Sequence, residues 1–186
     1  MTVRSRLTEV SRGQARARRD GLRPLPPLVL DASSAVELSR LWRTRRTDAL
    51  QRRRSVVAAY LVASGSMGMI SAYQSGILPR LPELPLPGFD APKVDSSAEA
   101  YQLMGMPDGV LALVSNAVTM ALTVAGGEQP PRWLRALAAA KACVDAAYAT
   151  KLTVDQATKH RAACSWCLLA TAATFSALPQ ALRAAR

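Results

Sequence analysis

The residues of this 186-residue chain that are best suited to chemistry are two cysteines, Cys164 and Cys167. Cysteines with this spacing on a helix lie on one face and can form a disulfide. An uncharged stretch follows them, so we expect them to open a helix, where partial positive charge and free N–H groups collect. Both favour the thiolate, which is the reactive form of cysteine. The pair therefore predicts thiol–disulfide chemistry, with Cys164 and Cys167 as the catalytic residues.

Two other interpretations of this cysteine pair stay open. Cys164 and Cys167 could be small apolar residues that only fill a helix interface. They could also bind a metal together with His160, but a structural zinc site generally has four ligands. The third cysteine, Cys143, is predicted to lie at a different depth, so we expect no metal here. His160 and Arg161, one turn before the pair, would instead add positive charge beside the thiolate.

Charge divides the chain into two unlike parts. Residues 1–54 hold 14 arginines and five acidic residues, whereas residues 55–186 hold ten basic and eight acidic residues. The first part is predicted to be an Arg-rich cytoplasmic tail. Its charge alone gives non-specific affinity for polyanions, and with Trp42 as its one aromatic residue it offers little surface for base stacking. We therefore expect no specific nucleic acid partner.

A short helix is predicted near the end of this tail, from about Ser34 to Arg46. Asp31 or Ser33 could cap its N-terminus. Its apolar face and its arginines are typical of a helix that lies on an anionic membrane surface. A solvated tail fits the same pattern equally well, so both interpretations are kept.

Four segments of the second part are long enough and mostly uncharged enough to cross a bilayer. We predict membrane spans at about residues 55–78, 108–126, 132–150 and 162–182. In the first span, Gly65, Ser66 and Gly68 have the small-residue spacing that suits close helix packing. The predicted fold is all-α, an integral membrane four-helix bundle with a Pro-rich extracytoplasmic loop and a basic N-terminal tail.

The third span differs from the others because Arg135, Lys141 and Asp145 interrupt it. Lys141 and Asp145 are four residues apart, so they share a helix face and can pair. Charges at membrane depth usually face the bundle interior or a wet cavity. We expect a neutralised pair that holds the bundle together rather than a catalytic one.

The connecting segments predict the orientation in the membrane. Residues 79–107 contain six prolines, which exclude a regular span, and acidic residues outnumber basic ones there. Arginines that adjoin a first span stay in the cytoplasm. We therefore expect a multi-pass protein of the inner (plasma) membrane with both termini cytoplasmic. Residues 79–107 and a polar loop over residues 151–161 would then lie outside.

Four spans, a Pro-rich outer loop and the motif Cys164-Ser165-Trp166-Cys167 opening the fourth span resemble the vitamin K epoxide reductase family. The segment Leu103-Met104-Gly105-Met106-Pro107-Asp108 adds to the resemblance, which covers about residues 55–183. It implies a membrane oxidoreductase whose cysteine pair exchanges electrons with a quinone, either menaquinone or ubiquinone. It also implies an extracytoplasmic thiol protein as a partner, in addition to membrane lipid.

The resemblance further implies three quinone-binding residues. Asp108 lies at or near the position of a family asparagine, and Thr171 lies where many members have a tyrosine one turn after the cysteines. Trp166 lies within the motif itself. Asp108 can accept a hydrogen bond but donates one only when protonated, whereas Thr171 can donate but is shorter than tyrosine.

One departure from the family leaves two functions open. Members carry a second cysteine pair in the outer loop, but here Asp95, Ser96 and Ser97 lie in that region, and they cannot exchange disulfides. In the first function, an external thiol attacks the Cys164–Cys167 disulfide directly, with Cys164 toward the thiol and Cys167 toward the quinone. In the second, the chain is a catalytically reduced or inactive member that binds quinone or assists assembly.

Overall fold

A computed structural model describes residues 29–186, which form six α-helices. They are α1 (Ala32–Thr44), α2 (Asp48–Gln74), α3 (Ala91–Asp95), α4 (Asp108–Val124), α5 (Arg132–Asp155) and α6 (Ser165–Ala185). A 3-10 helix at Ala98–Tyr101 and a π-helical turn at Gln156–His160 complete the helical structure. No strand occurs in this part of the chain, so the all-α class is confirmed. The first 28 residues of the predicted tail lie outside the described residues.

Helix α1 confirms the short helix predicted in the tail. The Asp31 carboxylate caps it by accepting a hydrogen bond from the Ser34 N–H at 3.3 Å. None of its residues is buried. Instead, arginine side chains hold it to the rest of the molecule. Arg53 lies over the Trp42 ring at 5.0 Å from the ring centroid, and Arg45 pairs with Glu128 at 3.0 Å.

The four long helices pack as a bundle in which α2 and α5 each contact both α4 and α6. Small side chains fill the interior and allow the helices to approach closely. The buried alanines of the long helices are Ala63, Ala139, Ala142, Ala146, Ala170, Ala173, Ala177 and Ala181. Ser66 is buried with them, and its hydroxyl donates to the Trp166 carbonyl at 2.6 Å.

Hydropathy distinguishes among these helices. Within residues 29–186, α2 is the one helix that is both long and apolar enough to pass as a membrane span, and α4 is apolar but shorter. Helix α5 is diluted by charged residues, and α6 by Ser, Thr and Gln. The four predicted spans therefore coincide with the four long helices, but hydropathy alone supports one of them as a span.

The predicted polar loop at residues 151–161 is wrong, because most of it is helical. Helix α5 continues to Asp155, and the π-helical turn follows it. Lys151 and Lys159 lie four residues on either side of Asp155 and pair with it at 2.7 and 3.1 Å. Such i,i+4 pairs stabilise a helix that faces water. The chain leaves the helix only at Arg161, which adopts a left-handed conformation with φ of 49°.

The predicted pair of Lys141 and Asp145 is confirmed, and it belongs to a larger polar network. The Asp145 carboxylate accepts hydrogen bonds from the hydroxyls of Tyr60, Ser115 and Thr119 at 2.9, 2.9 and 2.6 Å. Lys141 pairs with the same carboxylate. Three helices, α2, α4 and α5, therefore meet at one carboxylate inside the bundle.

Candidate functional site

The two cysteines of the motif lie at the start of α6. Cys164 is the N-cap residue, and its Sγ accepts a hydrogen bond from the Cys167 N–H at 3.3 Å. Both are free thiols. Cys164 is completely buried at 0% exposure, whereas Cys167 is partly exposed. The helix start therefore supplies a hydrogen bond to the Cys164 sulfur, and Cys167 is the more exposed residue of the two.

The segment between α2 and α4 covers this helix start. Backbone hydrogen bonds join Asp90 N–H to the Ala163 carbonyl at 2.9 Å and Ala163 N–H to the Gly88 carbonyl at 2.8 Å. The Trp166 indole N–H donates to the Pro82 carbonyl at 2.5 Å. The Pro-rich segment is therefore docked on the motif by its backbone, which explains the full burial of Cys164.

Two other N–H groups at the helix start donate to oxygen atoms and not to a sulfur. The Ser165 N–H donates to a Glu83 carboxylate oxygen at 3.1 Å, and the Cys164 N–H donates to the Gln156 side chain at 2.9 Å. A carboxylate at a helix N-terminus is favourable. His160 and Arg161 make no hydrogen bond to either cysteine in the described part of the chain, so direct pairing of these residues with the sulfurs is not seen.

A carboxylate also lies against the two thiols. Asp95 ends α3 and is only 3% exposed. The Cys167 thiol donates to Asp95 Oδ1 at 3.4 Å, and the Cys164 sulfur, the Cys167 sulfur and an Asp95 oxygen all lie within 4.8 Å of one another. Burial raises the pKa of Asp95 from its ordinary 3.8 to about 6, although hydrogen bonds from both thiols oppose the rise. The sequence predicts only that Asp95 cannot relay electrons, and it gives no signal of this contact with the thiols.

These three donor atoms do not complete a structural metal site. Structural zinc generally takes four protein ligands, and the described residues bring together three. His160, which the sequence offered as a ligand beside the cysteines, is not one of the three. The arrangement is better suited to proton exchange between a carboxylate and a thiol, because the Cys167 thiol already donates a hydrogen bond to the Asp95 carboxylate.

Gln74 fixes the other side of the site. Its amide donates to the Asp95 carbonyl at 3.1 Å and to the Asp108 carboxylate at 2.6 Å, and its side-chain oxygen accepts the Gly109 N–H at 3.1 Å. Tyr101 donates its hydroxyl to the Gln74 carbonyl at 3.0 Å. Gln74, at the end of α2, therefore holds α3 and the start of α4 through its side chain and the 3-10 helix through its backbone carbonyl.

The three residues that the resemblance implies at a quinone, Asp108, Trp166 and Thr171, have different hydrogen-bond partners from one another. Asp108 accepts from Gln74, and the Trp166 N–H is already used by Pro82. Thr171 lies one turn after Cys167, with its hydroxyl 3.3 Å from that of Thr153. Either hydroxyl of this pair can be the donor, so Thr171 is the one of the three residues whose hydrogen-bond donor is not committed to a single partner. Asp108 is linked to Asp95 through the Gln74 amide, which bonds both residues.

A pocket lies elsewhere, at the opposite end of the bundle from the thiols. Arg53, Thr123, Pro130 and Arg135 contribute to its lining. Arg53 donates to the carbonyls of Thr123 and Ala125 at 2.7 and 3.2 Å, which satisfies the C-terminal end of α4. This pocket has no cysteine in its lining, so it is not the thiol site.

Comparison with known proteins gives one match. A sequence model described as the vitamin K epoxide reductase family matches residues 55–182. The matched range covers more than half of the chain and includes the cysteine pair, Asp95 and most of all four long helices. No curated protein and no solved structure shows a significant match to this chain.

Proposed function

Because this chain belongs to the vitamin K epoxide reductase family, we propose that it is a quinone-linked membrane thiol oxidoreductase with Cys164 and Cys167 as its redox pair. The observation that carries the proposal is the geometry of that pair. Both thiols are free and adjacent at a helix N-terminus, where the Cys167 N–H donates a hydrogen bond to the Cys164 sulfur. The quinone would be menaquinone or ubiquinone, and the thiol partner a protein outside the cytoplasmic membrane.

The family is a membrane protein family, and the surface of the bundle supports four spans of the inner membrane. All four long helices expose large apolar side chains, which soluble monomers rarely gather in quantity. Examples, two for each helix in chain order, are Leu61, Val62, Val114, Val118, Leu137, Val144, Leu169 and Phe175. Alanines and polar residues make up most of the buried positions of these helices, together with a few large apolar side chains. This distribution is expected when lipid surrounds the helices, even where their mean hydropathy is modest.

The chemistry begins with the dithiol. The quinone, when bound, would accept the two electrons that the thiols lose on forming a disulfide, and it would take up two protons to become a quinol. Cys167 and Thr171 lie one turn apart on α6, so their side chains would face it together. The Cys167 N–H holds the Cys164 sulfur at 3.3 Å, which keeps both sulfurs at the helix start while the bond forms.

Burial supports an order of attack opposite to the one expected from the sequence. An external thiolate would reach Cys167, because Cys164 is completely covered. Its attack breaks the sulfur–sulfur bond, and Cys164 leaves as a thiolate that the helix N-terminus stabilises. A second external thiolate then attacks the partner's sulfur in the mixed disulfide. Cys167 is released, and the external disulfide departs.

The test is oxidation of the purified, reduced protein in detergent by a short-chain ubiquinone or menaquinone. Mass shifts after alkylation report whether Cys164 and Cys167 have formed a disulfide. We expect oxidation by at least one quinone, and loss of turnover in the Cys164→Ser and Cys167→Ser variants. The Cys143→Ser variant is the matched control, because Cys143 is exposed and lies apart from the pair. A pair that stays reduced with both quinones would overturn the proposal.

A second candidate is a non-catalytic family member that binds quinone or assists assembly. The observation in its favour is that Cys164 is fully covered and that the covering segment, residues 75–107, contains no cysteine to relay electrons. This candidate predicts quinone binding without disulfide formation. The alkylation assay, combined with quinone binding to the Cys164→Ser variant, distinguishes the two.

A further inference from the structure

The Asp95 carboxylate lies beside the thiols but takes no part in the disulfide exchange described above. Asp95 is 3% exposed, and its Oδ1 accepts the Cys167 thiol proton at 3.4 Å. Its Oδ2 is buried and makes no hydrogen bond to any described residue. A buried carboxylate with an unpartnered oxygen is costly when ionised. The oxygen pair can therefore hold a proton close to a sulfur that gains and loses one.

We infer that Asp95 takes up the Cys167 proton when the two cysteines form a disulfide and returns it when they are reduced. The inference rests on the proposed function, because it requires that the Cys164–Cys167 disulfide forms. Asp95 would then be a catalytic residue that contacts a reacting sulfur. It would stand in the loop region where family members carry a cysteine, but it would exchange a proton there instead of electrons.

The step balances as follows for reduction of the disulfide by two external thiolates. The first attack releases the Cys164 thiolate, which takes a proton from solvent. The second releases the Cys167 thiolate, which takes the proton from the Asp95 carboxylic acid. The products are the dithiol, the external disulfide and an Asp95 carboxylate. Reduction therefore draws one proton from solution, whereas without Asp95 it would draw two.

Hydrogen bonding explains why Asp95 binds its proton more tightly in the disulfide state. In the dithiol state the Cys167 S–H donates to the carboxylate and favours its ionised form, and burial still raises its pKa to about 6. A disulfide has no S–H group, so the pKa of Asp95 rises further. Between these two pKa values the carboxyl group is protonated in one redox state and ionised in the other.

Other charged groups near Asp95 act in the same direction. The carboxylates of Asp108 and Glu83 both raise its pKa. Gln74, from α2, donates to the Asp95 carbonyl and not to its carboxylate. The Asp95 carboxylate therefore lies beside two thiols at the start of α6 and is repelled by two further carboxylates, and no cation among the described residues is paired with it.

The experiment is a redox titration of the full chain in detergent at several pH values above 6. Reduced and oxidised dithiothreitol set the potential, and alkylation reports the fraction of disulfide. Between the pKa of Asp95 in the dithiol state and its higher pKa in the disulfide state, the midpoint potential of the wild type should change with pH about half as steeply as that of Asp95→Asn. Asp95→Ser provides a second variant that removes the carboxyl group. Glu99→Gln is the matched control, because Glu99 is an exposed carboxylate of the same loop.

The outcomes separate the inference from the proposed function. If the disulfide forms and the wild type and Asp95→Asn share one slope, the inference is overturned while the function stands. If no disulfide forms at any potential, both are overturned. If the slope doubles in both Asp95 variants and not in Glu99→Gln, the inference holds.

Discussion

A buried carboxylate makes the stability of this protein depend on pH at the level of a single residue. The pKa of Asp95 is about 6 in the reduced fold and 3.8 ordinarily. The folded state therefore binds the proton more tightly, and the free energy of unfolding falls as the pH rises from about 4 to about 6. Two pKa units correspond to about 3 kcal/mol. We expect this fall in the wild type and its loss in Asp95→Asn, measured by thermal unfolding under reducing conditions. Parallel pH curves for the two proteins would contradict it.

A second residue, Gly109, is predicted to tolerate no side chain. A Cβ there would lie 2.9 Å from the Gln74 side-chain oxygen and 3.1 Å from the Ser71 backbone nitrogen. We expect Gly109→Ala to destabilise the fold by about 1–3 kcal/mol, as overpacking does. Gly68→Ala is the control, because nothing lies within 4 Å of its added Cβ and alanine favours helix. Equal melting temperatures for the two variants would show that the start of α4 can shift freely.

Between helices, the Lys141–Asp145 network is predicted to be stabilising only as a complete unit. Removing one partner leaves a charge uncompensated inside the bundle, which costs about 3–5 kcal/mol. We expect Lys141→Met to be strongly destabilising and the double variant Lys141→Met, Asp145→Leu to recover much of the loss. Lys151→Met is the control, because Lys151 pairs with Asp155 at the surface and such pairs contribute about 1 kcal/mol or less. A double variant no more stable than Lys141→Met would mean that the network has no such coupling.

Elements whose signals are local could be predicted from the sequence. The cap of α1 depends on Asp31 and residues immediately after it, and the four long helices follow from long stretches with few charges. The segment at residues 151–161 could not be predicted from its charge alone, because Lys151, Asp155 and Lys159 stabilise a helix by their spacing. Polarity indicates exposure to water, and a polar segment can be either helix or loop.

The candidate site could be predicted only in part, because only some of its features depend on residues that are neighbours in the sequence. The sequence placed Cys164 and Cys167 at a helix start, since the uncharged stretch begins there. The contact with Asp95 depends on backbone pairing of the loop with Ala163, and backbone hydrogen bonds leave no signal in composition. The close helix packing predicted at Gly65, Ser66 and Gly68 holds only for Ser66, which is buried. Gly65 and Gly68 have open space where a Cβ would lie, and the glycine that is crowded in this way is Gly109.

The whole molecule has a strongly basic end. Helix α1, the start of α2, the turn after α4 and the end of α6 gather there, because Arg45 pairs with Glu128 and Arg52 donates to the Arg183 carbonyl at 3.4 Å. Together with the residues that adjoin them and the start of α5, these segments contain eleven arginines and four carboxylates. The opposite end carries the thiols and a nearly balanced set of charges. Because positive residues beside spans remain in the cytoplasm, this asymmetry supports an outward-facing thiol site.

That orientation predicts which surface residues an impermeant maleimide reaches in intact cells. Ala98 is exposed beside the thiol site and Thr44 is exposed at the basic end. Both variants are made in a background in which all three native cysteines are replaced by serine. We expect Ala98→Cys to react while the cytoplasmic membrane is still intact, provided that the maleimide can pass the layers outside that membrane. Thr44→Cys should react only after the cytoplasmic membrane is broken, and the cysteine-free parent provides the blank. Labelling of Thr44→Cys in intact cells, with protection of Ala98→Cys, would reverse the orientation. It would then place Cys164 and Cys167 in the reducing cytoplasm, where an oxidase for exported thiols could not act.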